Sequence, residues 1–358
     1  MTTQSHLHLS GRSKLGKLMG VKIAATGSYV PEHVVTNEDL NALGCDSDWI
    51  VQRTGIRERR RAAPGQATSD LAYAAAVDCL ANANLQAEEV DLILVATITP
   101  DFLTPSTACL LQRQLGCVAP AMDINAACAG FMYGLVTAAN FIKTGASKKA
   151  LIIGSEVMSN TINPSDIKTY PLFGDGAGAA LLVADDTSVD DLSDETSGQL
   201  AGQLTSGLLA YTLGAEGCGG QMLCIPGGGS RAPLTAEGID HGQQYLTMDG
   251  RGVFKWAVRV VNDSCRDCLL YAGVDFSDID RVILHQANIR IIDSAVSDFG
   301  IPSDRVVVNL DRYGNTSAAS IPIALDDANR QGLLKRGDNV LLCGFGSGLS
   351  WGTALIRW

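Results

Sequence analysis

Short apolar runs along the chain alternate with longer segments in which apolar residues recur at helical spacing. The short runs predict strands at residues 21–25, 90–98, 150–154, 179–183, 282–284, 306–308 and 340–343. The helical spacing predicts helices at residues 70–83, 107–115, 252–271 and 318–331. Strands that alternate with helices in this way are typical of an α/β fold.

The second half of the chain repeats features of the first half. The apolar run at 90–95 recurs at 279–284, an offset of 189 residues, and the run at 150–154 recurs at 340–344, an offset of 190 residues. Nearly equal offsets, with strands and helices in the same order, predict a duplicated α/β unit with pseudo-twofold symmetry.

An acidic segment separates the two halves. Residues 185–195 hold six acidic side chains in eleven positions. Because such a segment is typical of a solvated connection, we place a domain boundary near residue 198, between an N-terminal half at 21–198 and a C-terminal half at 199–358.

The first twenty residues differ in character from the rest. They carry Arg12, Lys14 and Lys17 without an acidic residue, and they lack the continuous apolar stretch of a signal peptide. We therefore expect residues 1–20 to form a disordered N-terminal extension, with Met19 as an alternative start of the chain.

Composition narrows the class of protein. The chain is 46% apolar and 18% charged, which suits a large buried core, and its net charge of −11 disfavours general binding to nucleic acid or to an anionic membrane. Ten cysteines without a secretory signal indicate reduced thiols and a cytoplasmic location. The uncharged stretch at 124–142 includes Asn125 and Asn140, so we interpret it as a buried helix and not as a membrane span.

One pair of cysteines has the C-x-x-C spacing of metal and redox motifs. Cys265 and Cys268 share a predicted helix face with Val261 and Leu269, and the sequence offers no second ligand pair. We therefore assign both thiols to the core and predict no metal site.

Cys128 lies where a predicted strand stops and an uncharged helical stretch begins, within the segment 123–131. A free thiol has a pKa near ~8.5, and the unpaired N–H groups of a helix N-terminus lower the pKa of a thiol beside them. The same N–H groups can hold a developing oxyanion. Cys128 is therefore the candidate nucleophile, and the alternative is a small apolar residue of the core.

Two further polar residues follow predicted strands. His285 comes directly after the run at 281–284, and Asn315 lies between the predicted strand at 306–308 and the next helix. Ligands of α/β sheets gather outside the carboxyl ends of the strands. We therefore expect Cys128, His285 and Asn315 at equivalent strand ends around one pseudo-axis. Taken singly, His285 also fits a core histidine and Asn315 a helix cap.

Small residues follow the last predicted central strand, at 344–348. This run lacks the Gly-Lys-Ser/Thr of a phosphate-binding loop, as does the run at 174–178. Small residues let the backbone approach a ligand closely, so the N–H of Ser347 is a candidate second oxyanion donor. Close packing between central strands is the alternative for each glycine.

The segments that carry these residues together resemble the β-ketoacyl-acyl carrier protein synthase III family, the initiating condensing enzymes of bacterial dissociated fatty-acid synthesis. The resemblance runs from about Val21 to Trp358, and its matching motifs are residues 48–57, 123–131, 173–179, 285–288, 314–317 and 346–352. It implies an α/β, internally duplicated, five-layered αβαβα thiolase-like fold with pseudo-twofold symmetry, which assembles as a homodimer.

The resemblance also implies the catalytic residues. Cys128, His285 and Asn315 match the family's triad, in which the cysteine takes an acyl group from acyl-CoA. The backbone N–H groups of Cys128 and Ser347 would form the oxyanion hole. His285 and Asn315 would stabilise the enolate that forms as malonyl-acyl carrier protein loses CO₂, and the product would be 3-oxoacyl-acyl carrier protein. No cofactor is implied.

Further motif positions imply the contacts to acyl-CoA. Trp49 would stack on the adenine of CoA, Arg53 would contact its phosphates and Asn288 would bond its pantetheine. Thr104 stands where many relatives have a phenylalanine before the Pro-Ser of the primer-pocket loop, and Ile167 replaces a basic residue of some relatives. We therefore predict tolerance of primers that are longer or more branched than acetyl.

Acyl carrier protein is acidic, so its docking site should be basic. Arg251, Lys255 and Arg290 are the candidate docking patch, and solvation of a helix face is the alternative for each of them. The expected partners are therefore acyl carrier protein, acyl-CoA and a second copy of the chain, without nucleic acid or a membrane.

Other functions on the same scaffold remain open. One is another Cys-His-Asn condensing enzyme, of the polyketide, quinolone or hydrocarbon type. A second is a non-catalytic carrier-binding or dimer-partner subunit, and a third is a thiol hydrolase. A thiolase needs a second cysteine as a base, and that position holds Phe345, two residues after Cys343.

Overall fold

The computed structural model of the protein describes residues 13–185 and 206–358. Its strands are β1 (Ser13–Met19), β2 (Val21–Tyr29), β3 (His33–Thr36), β4 (Glu58–Arg61), β5 (Leu92–Ala96), β6 (Ala121–Ile124), β7 (Lys149–Glu156), β8 (Gly176–Ala184), β9 (Gly207–Ala215), β10 (Leu223–Cys224), β11 (Thr247–Met248), β12 (Arg281–Leu284), β13 (Asn339–Gly346) and β14 (Ser350–Arg357). Its α-helices are α1 (Ser47–Thr54), α2 (Thr68–Ala83), α3 (Thr107–Leu115), α4 (Gly130–Lys143), α5 (Ala236–Asp240), α6 (Gly250–Ala272), α7 (Ile289–Phe299), α8 (Leu310–Tyr313) and α9 (Ser320–Arg330).

Two five-stranded sheets form the centre of these residues. The first sheet has the strand order β2-β8-β7-β5-β6, and the second has the order β1-β9-β14-β13-β12. Helices α2 and α3 pack on the outer face of the first sheet, α6 and α7 pack on the outer face of the second, and α4 and α9 lie between the sheets. The predicted five-layered αβαβα arrangement is confirmed.

The central layer is held by burial of apolar side chains. Phe131 and Leu135 of α4 and Leu325 of α9 pack between Ile152 of the first sheet and Leu342 of the second, and all five are fully buried. Each such side chain contributes about 1.5–3 kcal/mol when it leaves water. The uncharged stretch of the sequence is therefore a core helix, α4, as predicted. Within residues 13–185 and 206–358, no helix has both the length and the apolar character to cross a bilayer.

The two sheets share one topology. In the first sheet β5 pairs in parallel with β7, and β8 and β2 follow in antiparallel pairing. In the second sheet β12 pairs in parallel with β13, and β14 and β9 follow in antiparallel pairing. The counterpart of the parallel pair of β5 with β6 is an isolated parallel bridge between Val282 and Val306. The strand predicted at 306–308 is therefore reduced to this single bridge. The structure confirms the predicted duplication.

The prediction of a disordered extension was wrong for residues 13–20. Strand β1 pairs antiparallel with β9 at the edge of the second sheet, and Leu18 is buried there. The backbone hydrogen bonds to β9 and the burial of Leu18 offset the entropy lost on ordering this segment, a gain that composition alone does not reveal. The remainder of the predicted extension, the boundary near residue 198 and the acidic segment from residue 186 onward lie outside the described residues.

Candidate active site

Cys128 lies in a short 3₁₀ turn, Ala127–Ala129, between the end of β6 and the start of α4. This is the strand-to-helix junction predicted from the sequence. The end of β13 packs against the turn at Gly346, where an added Cβ would meet the Cβ of Cys128 at 2.8 Å and its Sγ at 3.1 Å. Glycine at this position therefore lets the β13 backbone reach the thiol, and Ser347 follows it directly.

A cavity of about 840 Å³ reaches Cys128. His285, at the end of β12, and Asn315, just after α8, line the same cavity. The structure thus brings to one cavity the three residues that the sequence placed at equivalent strand ends around one pseudo-axis. The cavity is also lined by Trp49, Arg53, Ile167, Lys168, Phe173, Arg251, Phe254, Asn288, Arg290 and Phe345.

His285 is buried, and its environment favours the neutral imidazole. Burial lowers the pKa of His285 from 6.5 to about 3, so the imidazole is neutral at neutral pH. The hydroxyl of Ser320 lies 2.6 Å from Nδ1 and accepts a hydrogen bond from the Gln286 N–H at 3.4 Å. We assign the Ser320 hydroxyl as the hydrogen-bond donor to Nδ1, which places the ring proton on Nε2 and makes Nε2 a hydrogen-bond donor.

The Asn315 side chain is held by its neighbour in the chain. Its Oδ1 accepts a hydrogen bond from the Ser317 N–H at 2.9 Å, and its backbone is tied to Leu172 and Gly174. Because Oδ1 is engaged in this way, the Nδ2 amino group is oriented as the donor to a ligand. The cavity therefore presents two neutral donors, one from His285 and one from Asn315.

The thiol of Cys128 is less acidic than the sequence suggested. Burial raises the pKa of Cys128 to about 12, and the negative charge of Glu156 acts in the same direction. A hydrogen bond to Ser317 and a backbone N–H lower that pKa, but burial outweighs them. The expectation of a thiol activated by the helix N-terminus was therefore wrong for the resting site, which holds a neutral thiol.

Three polar residues of the site were missed by sequence reasoning. Glu156 ends β7 and is fully buried beneath Cys128, Ser317 bridges these two residues, and Ser320 holds the imidazole of His285. Ser317 and Ser320 lie in the same segment as Asn315, residues 313–320. The signal for Glu156 was a lone acidic residue that continues a buried apolar strand.

The residues matched to CoA contacts lie together at the cavity. The guanidinium of Arg53 lies over the Trp49 ring, 4.2 Å from its centroid. Asn288 caps helix α7 by accepting from the Arg290 N–H, and its Nδ2 donates to the carbonyl of Arg53 at 3.0 Å. Asn288 therefore has a structural role of its own in joining α1 to α7.

Three predicted site residues lie away from this cavity. Thr104 is exposed on the loop before α3, and Lys255 faces a separate cleft beside Glu216. Ser347 lines a second cavity of about 470 Å³, whose walls include residues 125–127 and the apolar side chains of Ile98 and Leu246. Of the predicted docking patch, Arg251 and Arg290 are the members that line the main cavity, and both are exposed.

The other cysteines do not take part in the main cavity. Cys265, Cys268 and Cys343 are fully buried in one apolar cluster, as predicted for the C-x-x-C pair. All ten cysteines lie in the described part of the chain, and all are unpaired. Over the same residues, no group of three His, Cys, Asp or Glu side chains is placed to hold a metal ion.

Comparison with known proteins points to one family. A family model described as 3-Oxoacyl-[acyl-carrier-protein (ACP)] synthase III matches residues 122–198, and the model of the C-terminal part of the same enzyme matches residues 269–358. A protein of Rhodopirellula baltica named Beta-ketoacyl-[acyl-carrier-protein] synthase III is 65% identical over 346 residues, which span 96% of this chain and 100% of the relative.

Solved structures agree with this assignment. The crystal structure of 3-oxoacyl-[acyl-carrier-protein] synthase III from Aquifex aeolicus matches with a TM-score of 0.83 and 42% identity over 95% of this chain and 100% of that chain. The priming β-ketosynthase of the R1128 polyketide pathway matches with a TM-score of 0.81 and 31% identity over 96% of this chain and 98% of that chain. The duplicated fold, the shared cavity and the full-length likeness agree: the chain belongs to the β-ketoacyl-acyl carrier protein synthase III family of acyl-transferring condensing enzymes.

Proposed function

We propose that the protein joins an acyl-CoA primer to malonyl-acyl carrier protein with loss of CO₂, and so produces 3-oxoacyl-acyl carrier protein and free CoA at the start of fatty-acid synthesis. The observation that carries this proposal is the cavity in which a thiol, a neutral imidazole and an amide meet. These three groups suit a covalent acyl transfer followed by stabilisation of an enolate.

In the first half-reaction the Cys128 sulfur attacks the thioester carbonyl of the primer. The backbone N–H groups of Cys128 and Ser347 stabilise the oxyanion that forms, and loss of one such donor typically costs about 2.7–4 kcal/mol. The close approach of β13 at Gly346 supports this assignment, because Ser347 is the next residue. CoA leaves, and the acyl group stays on Cys128.

In the second half-reaction malonyl-acyl carrier protein occupies the place vacated by CoA. The Nε2–H of His285 and the Nδ2–H of Asn315 donate to its thioester oxygen while CO₂ leaves. Both donors are neutral, so they stabilise the enolate without protonating it. The resulting carbanion attacks the acyl group on Cys128, and no general base is needed to create it.

The entrance of the cavity supports the substrate contacts. Trp49 and Arg53 provide an aromatic face and a cation for the adenine and phosphates of CoA, while Asn288 lies at the cavity wall for the pantetheine. Arg251 and Arg290 are the exposed cations at the same mouth, and they are the contacts that we assign to the acidic carrier protein. Lys255, one turn after Arg251 on α6, adds to the positive charge near the cavity mouth.

The primer binds beyond Cys128. The second cavity adjoins the Cys128 turn and has apolar walls that include Ile98, Ile225 and Leu246. Burial of each extra methylene of a primer in such a space contributes about 0.8 kcal/mol. We therefore propose that the enzyme accepts primers longer or more branched than acetyl.

A homodimer in the cytoplasm completes the proposal. Strand β6 is the edge of the first sheet, and Met122 on this strand is exposed. Phe102, Leu103 and Val118, in the connections on either side of α3, are exposed as well. An uncovered edge strand with apolar neighbours favours pairing with a second copy, which also places Thr104 at the partner's surface.

Mass spectrometry of the intact protein after incubation with a panel of acyl-CoAs tests the proposal. We expect the mass to rise by one acyl group with acetyl, longer and branched primers, and Cys128→Ala to abolish the rise. Cys109→Ala, at an exposed cysteine that does not line the main cavity, serves as the matched control and should acylate normally.

The second substrate separates this function from related condensations. Product formed from malonyl-acyl carrier protein and not from malonyl-CoA supports the assignment to fatty-acid synthesis, whereas use of malonyl-CoA supports a polyketide route. A strict preference for acetyl-CoA would contradict the wider primer range. No acylation with any primer would contradict the whole proposal.

A further inference from the structure

Glu156 is a fully buried carboxylate close to the nucleophile. The thiol of Cys128 donates to the hydroxyl of Ser317 at 3.6 Å, and that hydroxyl donates to Oε1 of Glu156 at 2.9 Å. A hydroxyl can accept one proton and pass on another, so these two bonds form a continuous path from thiol to carboxylate.

The position of Glu156 is fixed by neutral donors. Its Oε2 accepts from the N–H groups of Ile98 and Thr99, each at 3.1 Å, and from the hydroxyls of Thr97 and Thr99, at 3.1 and 2.6 Å. Cys128 is the titratable group that faces Glu156 across Ser317, and the contacts from the segment after β5 carry no charge. Among the residues that the structure describes, those that hydrogen-bond to Glu156 are therefore all uncharged.

Cys128 and Glu156, joined through Ser317, influence each other's ionisation. Burial raises the pKa of Glu156, and the charge of Glu156 raises the pKa of Cys128. Ionisation of both groups at once would place two uncompensated charges in one buried site, which is strongly unfavourable. Ionisation of the thiol is favoured when the carboxylate takes up the proton that the thiol gives away.

We propose that Glu156 holds the proton of Cys128 during acylation, with the Ser317 hydroxyl as the relay between them. Ser317 contacts the reacting sulfur, and Glu156 acts through Ser317 as a positioning and proton-holding residue. The inference rests on the acylation of Cys128 proposed above, and it assigns the step by which a neutral, buried thiol becomes a nucleophile.

The proton is conserved through both half-reactions. In acylation the S–H bond of Cys128 breaks, its proton goes to Ser317, and the proton of Ser317 goes to Glu156 while the sulfur bonds to the acyl carbon. CoA leaves as a thiolate and takes a proton from solvent. In condensation the acyl–sulfur bond breaks, and the sulfur recovers its proton from Glu156 through Ser317. The net uptake of one solvent proton matches the loss of CO₂ from a malonyl carboxylate.

The pH dependence of the acylation rate tests the relay. In single-turnover experiments on the full chain, the wild-type rate constant should change little between about pH 7 and pH 9, because the proton moves within the pair. Ser317→Ala interrupts the path, so its rate constant should rise about tenfold per pH unit over the same range, as the thiol must ionise to solvent. The KM for acyl-CoA should stay within about threefold of the wild type, because Ser317 does not line the substrate cavity.

Two further variants make the outcome specific. Glu156→Gln should show the same steep profile, both in acylation and in the alkylation of its Cys128 by iodoacetamide, because the proton acceptor is gone. Thr97→Val is the matched control: it removes a donor to Glu156 outside the path and should keep the flat profile. If Glu156→Gln does not fold, Ser317→Ala decides.

A flat profile for Ser317→Ala, or a wild-type rate constant that itself rises about tenfold per pH unit, would overturn the relay even though Cys128 is acylated. Failure of the wild type to acylate at all would instead contradict the proposed function. The two failures are therefore distinguishable in one set of measurements.

Discussion

Burial sets the charge state of each ionisable residue at the site. His285 is neutral because burial lowers its pKa to about 3, and Cys128 is neutral because burial raises its pKa to about 12. The imidazole and the thiol that face the cavity are therefore both uncharged at rest. This distribution suits an enzyme that must stabilise two transient anions, an oxyanion and an enolate, with groups that remain uncharged.

The lowered pKa of His285 predicts how stability depends on pH. Between pH 6.5 and about pH 3 the unfolded chain binds a proton on His285 that the folded chain does not, so the free energy of unfolding falls as the pH drops below 6.5. From pH 7 to pH 5 this loss amounts to about 2 kcal/mol. His285→Asn lacks this titration. Between pH 7 and pH 5, urea unfolding should therefore show a free energy of unfolding that falls by about 2 kcal/mol less in the variant than in the wild type. A difference between the two proteins that is constant with pH would contradict the prediction.

Sequence reasoning found the residues that stand alone at strand ends and missed those defined by their contacts. Cys128, His285 and Asn315 each follow a short run that was predicted as a strand, and that pattern is visible in one dimension. Glu156 is recognisable as part of the site only through its donors, which come from the segment after β5 and from Ser317, 161 residues away. The pKa of Cys128 was misjudged for the same reason, because burial depends on the packed layers.

At the level of elements, the ends of β7 and β13 occupy equivalent places in the duplicated unit but make different contacts at the site. Strand β7 ends in Glu156, which reaches Ser317, and β13 ends in Gly346, which packs on Cys128. Ala127 and Ser317, also equivalent, have positive φ angles of 46° and 50°. One backbone frame thus positions the proposed nucleophile in one half and its proposed proton relay in the other.

Gly346→Ala tests the close approach of β13. The added Cβ would lie 2.8 Å from the Cβ of Cys128, so either the turn or the strand must move. A displacement near 1 Å typically costs about 100-fold in rate, and we expect such a loss in acylation measured by CoA release. Gly217→Ala is the control, because nothing lies within 4 Å of its added Cβ. Full activity of Gly346→Ala would show that Cys128 tolerates displacement.

The sequence predicted the elements with strong apolar runs and missed those without them. Helix α3 was predicted with its observed bounds, and β5, β7, β8, β12 and β13 were located within a few residues. Strand β1 was missed because its pattern mixes glycine and lysine with two leucines. Its order depends on a partner strand almost 200 positions later, which local patterns do not contain.

At the scale of the whole molecule, the exposed edge of the first sheet predicts the assembly. Leu103 and Val118 are 92% and 91% exposed. Exposure of large apolar side chains to water is unfavourable, so this surface is suited to contact with another protein surface. We expect the wild type to sediment as a dimer, and Leu103→Asp combined with Val118→Asp to shift it toward the monomer. Leu234→Asp, at an exposed apolar residue of the other half, should leave the dimer intact. A monomeric wild type would contradict the proposed homodimer.

Strand β1 ties the beginning of the described chain to its second half. It precedes the first sheet in sequence, yet it hydrogen-bonds to Gly207–Ala215 in the second sheet. During synthesis on the ribosome β1 emerges before β9, so it has no partner until the chain has been made as far as Gly207–Ala215. Separately expressed halves, cut between residues 185 and 206, would therefore leave one fragment with a surplus strand and the other with an unprotected sheet edge.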